Sequence, residues 1–392
     1  MKIVLVTQSY YPRPGGVTEH VHHSAVGLRR LGHEVTVVTS NFADGADDTP
    51  GVVRIGRNVL VPINGAWVNM TVGTRLSRDL RLAFERLEPD VIHTHCPMAP
   101  TLPLLTLRVA PKDCRVVGTL HAAATSNVAF WLFKPYLRKL ARRLDARIAV
   151  SEAARSLANK YVPGDFDIIP NGVDCSRFSP SNEPIEQLRD DSFNVLYVGR
   201  LDKRKGLKYL FRAVAAAQKR IQRRLRLIVV GDNGLRRHLL PKLPRRVELC
   251  FTGVVSAESL PRYFASADVF CSPATGRESF GIVLIEAMAS GTPVIATSIP
   301  GYLTILRHRL NSLVVAPRDS RSLGAAIAEL ASDDELRARI RENALQFVSA
   351  YGWDHIVGRL ETVYAGGGHA DIRSEAARRQ AVIRNPVQVQ KA

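Results

Sequence analysis

Short runs of Val, Ile and Leu alternate along the chain with amphipathic stretches of helical period. Five runs in the first half predict buried strands and read KIVLVT, EVTVVTS, DVIHTH, CRVVGTL and ARIAVS. Five in the second half read NVLYVGR, LRLIVVG, VELCFTG, DVFCSP and TPVIATS. Strands that are apolar on both faces, with helices between them, are typical of parallel sheets covered on both sides. The pattern therefore predicts an α/β fold with two Rossmann-like, doubly wound parallel-sheet domains.

A change in composition separates the two series of strands. The segment IIPNGVDCSRFSPSNEPIEQLRDDS is rich in Pro, Asn, Asp and Ser and predicts a linker. We therefore expect an N-terminal domain over residues 1–180 and a C-terminal domain over residues 190–350. The stretch YGWDHIVGRLETVYA predicts a last helix at 351–365, and the Gly-, Ala- and Arg-rich tail, residues 366–392, predicts disorder.

Composition adds a strong positive charge to this picture. The 392 residues include 54 Lys and Arg against 36 Asp and Glu, a net charge of +18, which predicts attraction to nucleic acid, anionic lipid or a phosphorylated substrate. A generally basic proteome is the alternative explanation. Five scattered cysteines without a CxxC pair argue against disulfides and structural zinc, and favour a reducing compartment. No apolar run reaches about 18 residues, so we expect a cytoplasmic protein, with peripheral binding to the cytoplasmic face of the plasma membrane left open.

A glycine pair follows the first predicted strand. Gly15 and Gly16 close a Pro-rich turn before a predicted helix. Free backbone N–H groups and the positive end of a helix dipole suit a phosphate there. The turn is not GxGxxG, so the dinucleotide-binding fingerprint is absent. The turn therefore predicts either a phosphate contact or a simple chain reversal.

Four cations crowd the turn after the first strand of the second half. Arg200, Lys203, Arg204 and Lys205 lie beside a predicted helix N-terminus, where positive charge opposes the helix dipole. This arrangement becomes favourable when an anion of charge about −2 occupies the turn. A solvated basic surface is the alternative.

Two carboxylates flank the start of another predicted helix in RESFGIVLIEAMASGTPVIA. The sequence predicts that Glu278 precedes this helix and that Glu286 lies about two turns inside it, roughly 12 Å away along the axis. A carboxylate in an apolar run needs a partner, and Glu286 fits the two hydroxyl groups of a ribose or a buried ion pair. The backbone N–H groups of Ser279, Phe280 and Gly281 suit a phosphate or a sugar.

Histidines lie near the carboxyl ends of strands in the first half. His93 and His95 end the strand DVIHTH, and His121 follows the next strand, at the sheet edge where ligands bind. His20 and His23 share one face of the first helix, but no third metal ligand is predictable for them. His93 and His95 suit a substrate wall as well as a metal. We therefore predict no metal site and take His121 as a candidate for substrate binding.

Taken together, these segments resemble a known enzyme family. The landmarks, in order, are PGGVTEHV, DVIHTHCPMAP, GTLHAAAT, AVSEAAR, IPNGVD, GRLDKRKG and ESFGIVLIEAMASGTPV. They resemble those of the retaining GT-B glycosyltransferases of family 4, over roughly residues 1–364. Within that family the chain is most similar to the phosphatidylinositol mannosyltransferases, through PDVIHTHCPMAPTLPLLTL and VPINGAWVNMTVG. The resemblance implies two domains that face a central cleft and a last helix that crosses back to the N-terminal domain.

The resemblance also implies roles for individual residues. Glu278 would contact the transferred sugar, and His121 would bond the sugar and align the acceptor. The residues implied to bind the donor are Gly15, Gly16, Arg200, Lys205, Ser279, Phe280, Gly281 and Glu286. Such enzymes need neither a metal nor a cofactor, because cationic side chains and helix ends neutralise the leaving diphosphate.

Departures from the family pattern leave the donor open. In GVVSAESL, a guanine-reading carboxylate is expected near Ser256 and Ala257 but is not at those positions, although Glu258 is close. Leu260 replaces a lysine that is often found in mannosyltransferase relatives. The expected donor is therefore GDP-mannose or a UDP-hexose. The three alanines after His121 stand where relatives tend to carry hydroxyl residues, so the acceptor contacts are open too.

These observations combine into one expected function and two rivals. We expect transfer of a hexose, mannose first and glucose next, to a lipid-linked or polyol acceptor such as phosphatidylinositol. Two basic amphipathic stretches, TRLSRDLRLAFERLEP and WLFKPYLRKLARRLDARI, favour contact with an anionic membrane surface, although packing on their own domain explains each equally well. A nucleotide-sugar epimerase of the same fold is the first rival. A nucleic-acid-binding protein is less favoured, because no aromatic stacking platform accompanies the charge.

Overall fold

The computed structural model describes residues 1–13, 15–42, 49–63, 66–121, 133–231 and 240–367. Its strands are β1 Lys2–Val6, β2 Glu34–Asn41, β3 Val52–Ile63, β4 Ala66–Val72, β5 Val91–His95, β6 Arg115–Leu120, β7 Ala146–Ala149, β8 Asp167–Ile168, β9 Phe193–Val198, β10 Leu225–Val230, β11 Glu248–Gly253, β12 Val269–Ser272, β13 Val294–Thr297 and β14 Leu313–Val315. Its α-helices are α1 Gly16–Arg30, α2 Leu76–Leu87, α3 Leu102–Val109, α4 Lys134–Ala141, α5 Glu152–Ala158, α6 Leu207–Gln218, α7 Leu260–Ala265, α8 Ile282–Ala289, α9 Ser320–Ser332, α10 Asp334–Val348 and α11 Trp353–Tyr364.

The chain divides into two units. The N-terminal unit comprises Met1–Pro170 together with the segment that begins at Trp353, and the C-terminal unit comprises Asn171–Gly352. From residue 368 onward the predicted tail lies outside the described residues, as do the three alanines after His121.

All ten predicted strands are present, and they belong to two sheets. The predicted burial is wrong for β11 alone among them, because β11 lies at the edge of its sheet and its residues are partly buried or exposed. The sheet of the N-terminal unit has the order β4-β3-β2-β1-β5-β6-β7-β8, and that of the C-terminal unit has the order β11-β10-β9-β12-β13-β14. All neighbouring strands are parallel except β3 and β4, which form an antiparallel pair. The prediction of two doubly wound parallel-sheet α/β domains is thereby confirmed. The unpredicted strands are β3 and β4, which mix polar with apolar residues, and the two- and three-residue strands β8 and β14.

Each sheet contains one point at which the order of the strands reverses. In the N-terminal unit the chain runs outward from β1 through β2 to β3, then returns to place β5 on the other side of β1. In the C-terminal unit, β9 and β12 are the corresponding neighbours. The connections after the two strands leave in opposite directions, which opens a crevice at their carboxyl ends, where ligands bind in this class of fold. We therefore expect ligand-binding residues in the turns after β1, β5, β9 and β12.

The last helix, α11, is part of the core of the N-terminal unit. Its residues Ile356, Val357 and Leu360 are buried against strands of that unit. A side chain at Gly27 of α1 would collide with it, because a Cβ there would lie 2.5 Å from Cγ2 of Val357. The guanidinium of Arg359 also donates to the Ile168 carbonyl at 2.6 Å. Close packing and hydrogen bonds therefore join the two distant parts of the chain.

This packing predicts that Gly27→Ala destabilises the protein. Overpacking against Val357 should cost roughly 1–3 kcal/mol, which outweighs the gain of up to about 1 kcal/mol in helix propensity. Adding Val357→Ala removes the colliding methyl groups, so a double-mutant cycle should give a coupling of at least about 0.5 kcal/mol. Gly358→Ala is the matched control, since a Cβ there meets no atom within 4 Å. Equal stability of Gly27→Ala and Gly358→Ala in urea unfolding would contradict the close contact.

Candidate functional site

The turn between β9 and α6, here called the basic turn (Arg200–Lys205), is shaped by Asp202. Its Oδ1 accepts hydrogen bonds from the backbone N–H groups of Arg204 and Lys205, each at 3.1 Å. The same carboxylate lies 3.6 Å from Nη2 of Arg200 and 3.5 Å from Nε of Arg204. Asp202 therefore caps the turn and neutralises part of its charge. Sequence reasoning missed this residue, although an Asp directly before a Lys-Arg-Lys turn is a recognisable capping signal.

The basic turn is in backbone contact with the loop that follows β12. Gly206 ends the turn at φ +75°, and a Cβ there would lie 1.9 Å from the carbonyl oxygen of Pro273. The backbone N–H of Thr275 donates to the Arg204 carbonyl at 2.8 Å. Since β9 and β12 are the two strands at the reversal point, these loops together form the edge at which a ligand is expected.

Glu278, on the loop after β12, lies against two cations of the basic turn. Its Oε1 is 3.0 Å from Nη1 of Arg204 and 3.1 Å from Nζ of Lys205. The side chains of Glu278 and Lys205 are only 13% and 16% exposed, so water and salt screen this attraction weakly. The structure thus brings together a predicted sugar-binding carboxylate and a predicted phosphate-binding lysine.

The two loops retain an excess of positive charge after these ion pairs are counted. The basic turn has four cations and the carboxylate of Asp202, and the loop after β12 adds Arg277 and Glu278, which leaves a net charge of +3. Arg200 and Lys203 are exposed to solvent, and the side chain of Arg200 is half exposed. A diphosphate-sized anion would balance most of this excess.

The helix that follows Glu278 is entered through a loop, as the sequence predicted. Helix α8 begins at Ile282, with Gly281 at its N-cap position and a φ of +95°. Ser279 and Phe280 therefore belong to the loop, and Glu286 is only the fifth helical residue, just over one turn inside. The predicted depth of two turns is therefore wrong, whereas the spacing of about 12 Å between Glu278 and Glu286 stays a prediction. The physical reason for the smaller depth is the left-handed glycine, which interrupts helical geometry before Ile282.

The loop before α8 packs closely against the segment that follows β13. A Cβ on Gly301 would lie 2.0 Å from the carbonyl oxygen of Glu278, and a Cβ on Gly281 would lie 2.6 Å from the Tyr302 ring. Phe280 is buried, so its side chain serves the core while its backbone stays on the loop. Glu286 is half-buried on α8.

In the N-terminal unit, α1 begins directly at the predicted glycine pair. Gly15 is the N-cap residue, with extended backbone, and Gly16 is the first helical residue. The Gly15 carbonyl accepts the Glu19 N–H at 2.9 Å, and the first N–H groups of a helix have no acceptor within it. The turn therefore has the form that the phosphate prediction required.

Four histidines from three segments meet in the N-terminal unit, and we call them the histidine cluster: His20 on α1, His93 and His95 on β5, and His121 after β6. All four are buried. Nδ1 of His95 and Nε2 of His121 are 3.0 Å apart, and the rings of His20 and His121 are 4.8 Å apart in an edge-to-face arrangement. The sequence placed each histidine at a strand end or on a helix, but only the fold brings them into contact.

Hydrogen bonds anchor one side of the cluster. Nδ1 of His93 pairs with the Tyr364 hydroxyl, and Nε2 of His93 pairs with the Thr119 hydroxyl, both at 2.6 Å. Tyr364 comes from α11, so the last helix contacts the cluster directly. His20 also packs edge-to-face on the Trp353 ring, with a centroid distance of 5.4 Å.

Burial keeps His93, His95 and His121 neutral. Desolvation, aided by neighbouring rings, lowers the pKa of His93 to about 3 and lowers the pKa of His95 and of His121 well below 6.5. A neutral imidazole has one N–H donor and one acceptor nitrogen. One member of the His95–His121 pair therefore donates and the other accepts, and His121 can offer a substrate a hydrogen bond but no charge.

The two predicted amphipathic basic stretches contain helices α2 and α4. In α2 the apolar face, Leu76, Leu80 and Phe84, is buried in the core, whereas Leu82 is 51% exposed. The alternative in which α2 packs on its own domain is therefore the observed one for most of its apolar residues. None of the described helices combines the length and apolar character needed to cross a lipid bilayer.

Helix α4 differs from α2, because it leaves aromatic residues uncovered. Phe133 and Tyr136 are 56% and 45% exposed, while Leu137 is buried. A shallow groove beside them is lined by Lys134, Pro135, Arg138, Lys139 and Arg142. Residues 131 and 132 of the predicted stretch lie outside the described residues.

The lowered histidine pKa values predict a loss of stability in mild acid. Below pH 6.5 the unfolded chain protonates its histidines while the folded cluster does not, so unfolding takes up protons and stability falls as pH falls. Each of His93, His95 and His121 should contribute up to about 1.4 kcal/mol per pH unit. Asp190, whose pKa the Arg226 hydrogen bond lowers to about 2, loses its contribution only below about pH 4.

The measurement is the free energy of urea unfolding between pH 7.5 and 5.0. We expect a fall that corresponds to at least two protons taken up near pH 5.5, and a slope smaller by about one proton in His95→Gln. A stability that is flat across this range would show that the cluster does not hold its histidines neutral.

Known proteins match the chain in both units. Residues 14–177 match the family described as Glycosyltransferase Family 4, and residues 179–347 match the family described as Glycosyl transferases group 1. A phosphatidyl-myo-inositol mannosyltransferase of Mycolicibacterium smegmatis is 32% identical, over 96% of this chain and 97% of the relative. A GDP-mannose-dependent alpha-(1-6)-phosphatidylinositol monomannoside mannosyltransferase of Mycobacterium tuberculosis is 29% identical, over 93% of this chain and 98% of the relative.

Solved structures agree on the fold. A glycosyltransferase from Rickettsia africae has a TM-score of 0.74 at 18% identity, and covers 92% of this chain and 97% of its own. The Anabaena protein HepE, in complex with UDP-glucose, has a TM-score of 0.71 at 22% identity, and covers 93% of this chain and 99% of its own. The resemblance inferred from the motifs is thereby confirmed. Since relatives at 32% identity span nearly the whole chain, this protein belongs to the family 4 glycosyltransferases of GT-B fold.

Proposed function

We propose that the enzyme transfers a hexose, mannose first and glucose next, with retention of configuration and without a metal ion, from a nucleotide-sugar to a lipid-linked or polyol acceptor such as phosphatidylinositol. The observation that carries this proposal is the net charge of +3 on the basic turn and the loop that holds Glu278. It lies at the point of the C-terminal sheet where the strand order reverses. A charge excess of this kind suits the diphosphate of a nucleotide-sugar donor.

The leaving group sets the electrostatic demand of the reaction. When the bond between C1 of the hexose and the diphosphate oxygen breaks, negative charge grows on the diphosphate. Arg200 and Lys205 supply fixed positive charge, and the N–H groups at the start of α8 and of α6 supply donors. Stabilisation that increases as the charge develops lowers the barrier rather than only tightening binding.

The pairing of Glu278 favours direct displacement on one face of the sugar. A carboxylate oxygen held 3.0 and 3.1 Å from two cations is stabilised as an anion and is a poor nucleophile at C1. In the proposed reaction the acceptor hydroxyl forms the new bond to C1 on the face that the diphosphate leaves. The hydroxyl proton passes to the departing diphosphate oxygen. Glu278 then orients the hexose by accepting hydrogen bonds from its hydroxyl groups.

The remaining donor and acceptor contacts follow from position. Glu286, half-buried on α8, is proposed to accept hydrogen bonds from the ribose hydroxyl groups, and Ser279, Phe280 and Gly281 to offer backbone N–H groups to the donor. In the N-terminal unit, Gly15 and Gly16 are proposed to contact the donor phosphate. His121, neutral and hydrogen-bonded to His95, is proposed to bond the hexose and align the acceptor.

The names of two relatives bear on the donor and the acceptor. The words phosphatidyl-myo-inositol and GDP-mannose-dependent support a lipid acceptor and mannose as first choices. Glu258, the carboxylate closest to the expected guanine-reading position, is exposed on the turn after β11. The proposed donor is therefore GDP-mannose or a UDP-hexose, and the assay compares the two.

Lys205→Ala should reduce kcat/KM with a nucleotide-sugar donor by about 100-fold or more, because it removes one fixed charge from the developing diphosphate. The matched control is Lys208→Ala, three residues later on the exposed side of α6, which should stay within about threefold of the wild type. The assay measures product formation with GDP-mannose and with UDP-glucose, using phosphatidylinositol as acceptor. The anomeric configuration of the product, read by NMR, reports retention.

Three results would contradict the proposal. Near wild-type activity of Lys205→Ala would remove the assignment of the diphosphate site, and an inverted product or a trapped glycosyl-enzyme would remove direct displacement. Conversion of the donor to an epimer without any acceptor would support the epimerase instead.

We also propose that α4 binds an anionic membrane surface. The support is the groove of four cations beside the exposed rings of Phe133 and Tyr136, since aromatic residues insert at the interface while Lys and Arg attract anionic headgroups. Arg138→Gln/Lys139→Gln should weaken binding by about 30-fold, because each cation contributes about 1 kcal/mol.

The measurement is co-sedimentation with phosphatidylcholine vesicles that contain phosphatidylinositol, at low and high salt. Arg212→Gln/Arg339→Gln is the matched control, because it removes the same charge from exposed helix positions of the C-terminal unit. Equal weakening by both pairs would mean that net charge alone drives binding, and α4 would lose its role.

A further inference from the structure

Three members of the histidine cluster have the composition of a metal site. One ring nitrogen from each of His20, His95 and His121 can be chosen so that all three lie within 4.8 Å of one another. The three residues come from α1, β5 and the end of β6, so three separate segments hold them. Sequence spacing could not suggest this set, because His95 and His121 both lie more than seventy residues after His20.

We infer that His20, His95 and His121 form a binding site for a divalent transition-metal ion of the Zn²⁺ type. Imidazole nitrogens are ligands that Zn²⁺ prefers, and three histidines with an open fourth position are a known coordination pattern for this ion. No carboxylate belongs to the set, which disfavours Mg²⁺ and Ca²⁺, since both prefer oxygen ligands.

The geometry allows the ion with a small adjustment. Ligand nitrogens at about 2.0–2.1 Å from Zn²⁺ lie roughly 3.4 Å apart in a tetrahedral site, so the widest pair must approach by about 1.4 Å. Nε2 of His95 is buried and has no hydrogen-bond partner among the described residues, which is costly for a polar atom. A bound ion would satisfy it.

The site has a consequence for activity, and this part depends on the proposed function. His121 is proposed to bond the hexose through a neutral ring. A metal ion that takes one of its nitrogens would change its orientation and its free hydrogen-bonding group, so the ion should inhibit transfer rather than support it. The site is therefore a point of metal inhibition beside the proposed substrate contact.

Direct binding tests the site without any assay of activity. The full-length chain is titrated with Co²⁺, whose visible absorption reports nitrogen ligands in a tetrahedral field, and then with Zn²⁺, which should displace it. We expect one equivalent to bind the wild type, and binding to weaken by at least about tenfold in His95→Gln. The matched control is His355→Gln, because His355 is exposed on α11, and it should bind as the wild type does.

The outcomes separate the site from the proposed function. Failure of the wild type to bind either ion, or equal binding by His95→Gln and the wild type, overturns the inference. The wild-type Co²⁺ spectrum keeps this test valid even if His95→Gln does not fold, and His20→Gln then serves as the second variant. If Zn²⁺ binds and inhibits the wild type, both ideas hold. If it binds without inhibition, the metal site stands and the proposed role of His121 fails.

Discussion

The carboxylate of Glu278 connects the two loops on which the candidate donor site depends. Its Oε1 lies 3.0 and 3.1 Å from Arg204 and Lys205, and it offsets the repulsion between these adjacent cations. Partial burial keeps the attraction from being screened. The absence of side chains at Gly206 and Gly301 lets the backbones approach closely enough for this contact. The positions of the groups proposed to bind the phosphate and the sugar are therefore coupled through one ion-paired carboxylate.

Both units have a point at which the strand order reverses, but the side chains at the two points differ in charge and burial. In the C-terminal unit the turns at the reversal point are charged and partly exposed, which suits a diphosphate that must bind and leave. In the N-terminal unit the corresponding edge leads to the histidine cluster, which is buried and neutral. Burial there favours directional hydrogen bonds over charge, and neutral imidazole nitrogens are also suitable ligands for the inferred ion of the Zn²⁺ type.

Much of this could be predicted from local patterns. Continuous apolar runs identified ten strands, because a strand that is covered on both faces of its sheet is apolar at nearly every position. The strands β3 and β4 mix polar with apolar residues, and β8 and β14 are very short, so none of the four forms such a run and all were missed. The cations of the basic turn were evident from their crowding, whereas the neutralising roles of Asp202 and Glu278 depend on distances that no pattern contains. The depth of Glu286 inside α8 was overestimated, because the left-handed conformation of Gly281 makes the helix begin only at Ile282.

The sequence by itself determined the α/β class, the two-sheet organisation and the family, since each rests on residues that act locally or in a fixed order. Only the tertiary structure decided which distant residues meet. His20, His95 and His121 lie on three segments. The parallel pairing of β5 with β6 brings His95 next to His121, and α1 places His20 against the His121 ring. Likewise, the buried apolar face of α2 and the exposed aromatic residues of α4 look alike as sequence. What covers an amphipathic helix is a property of the packed fold, because burial depends on neighbours that are remote along the chain.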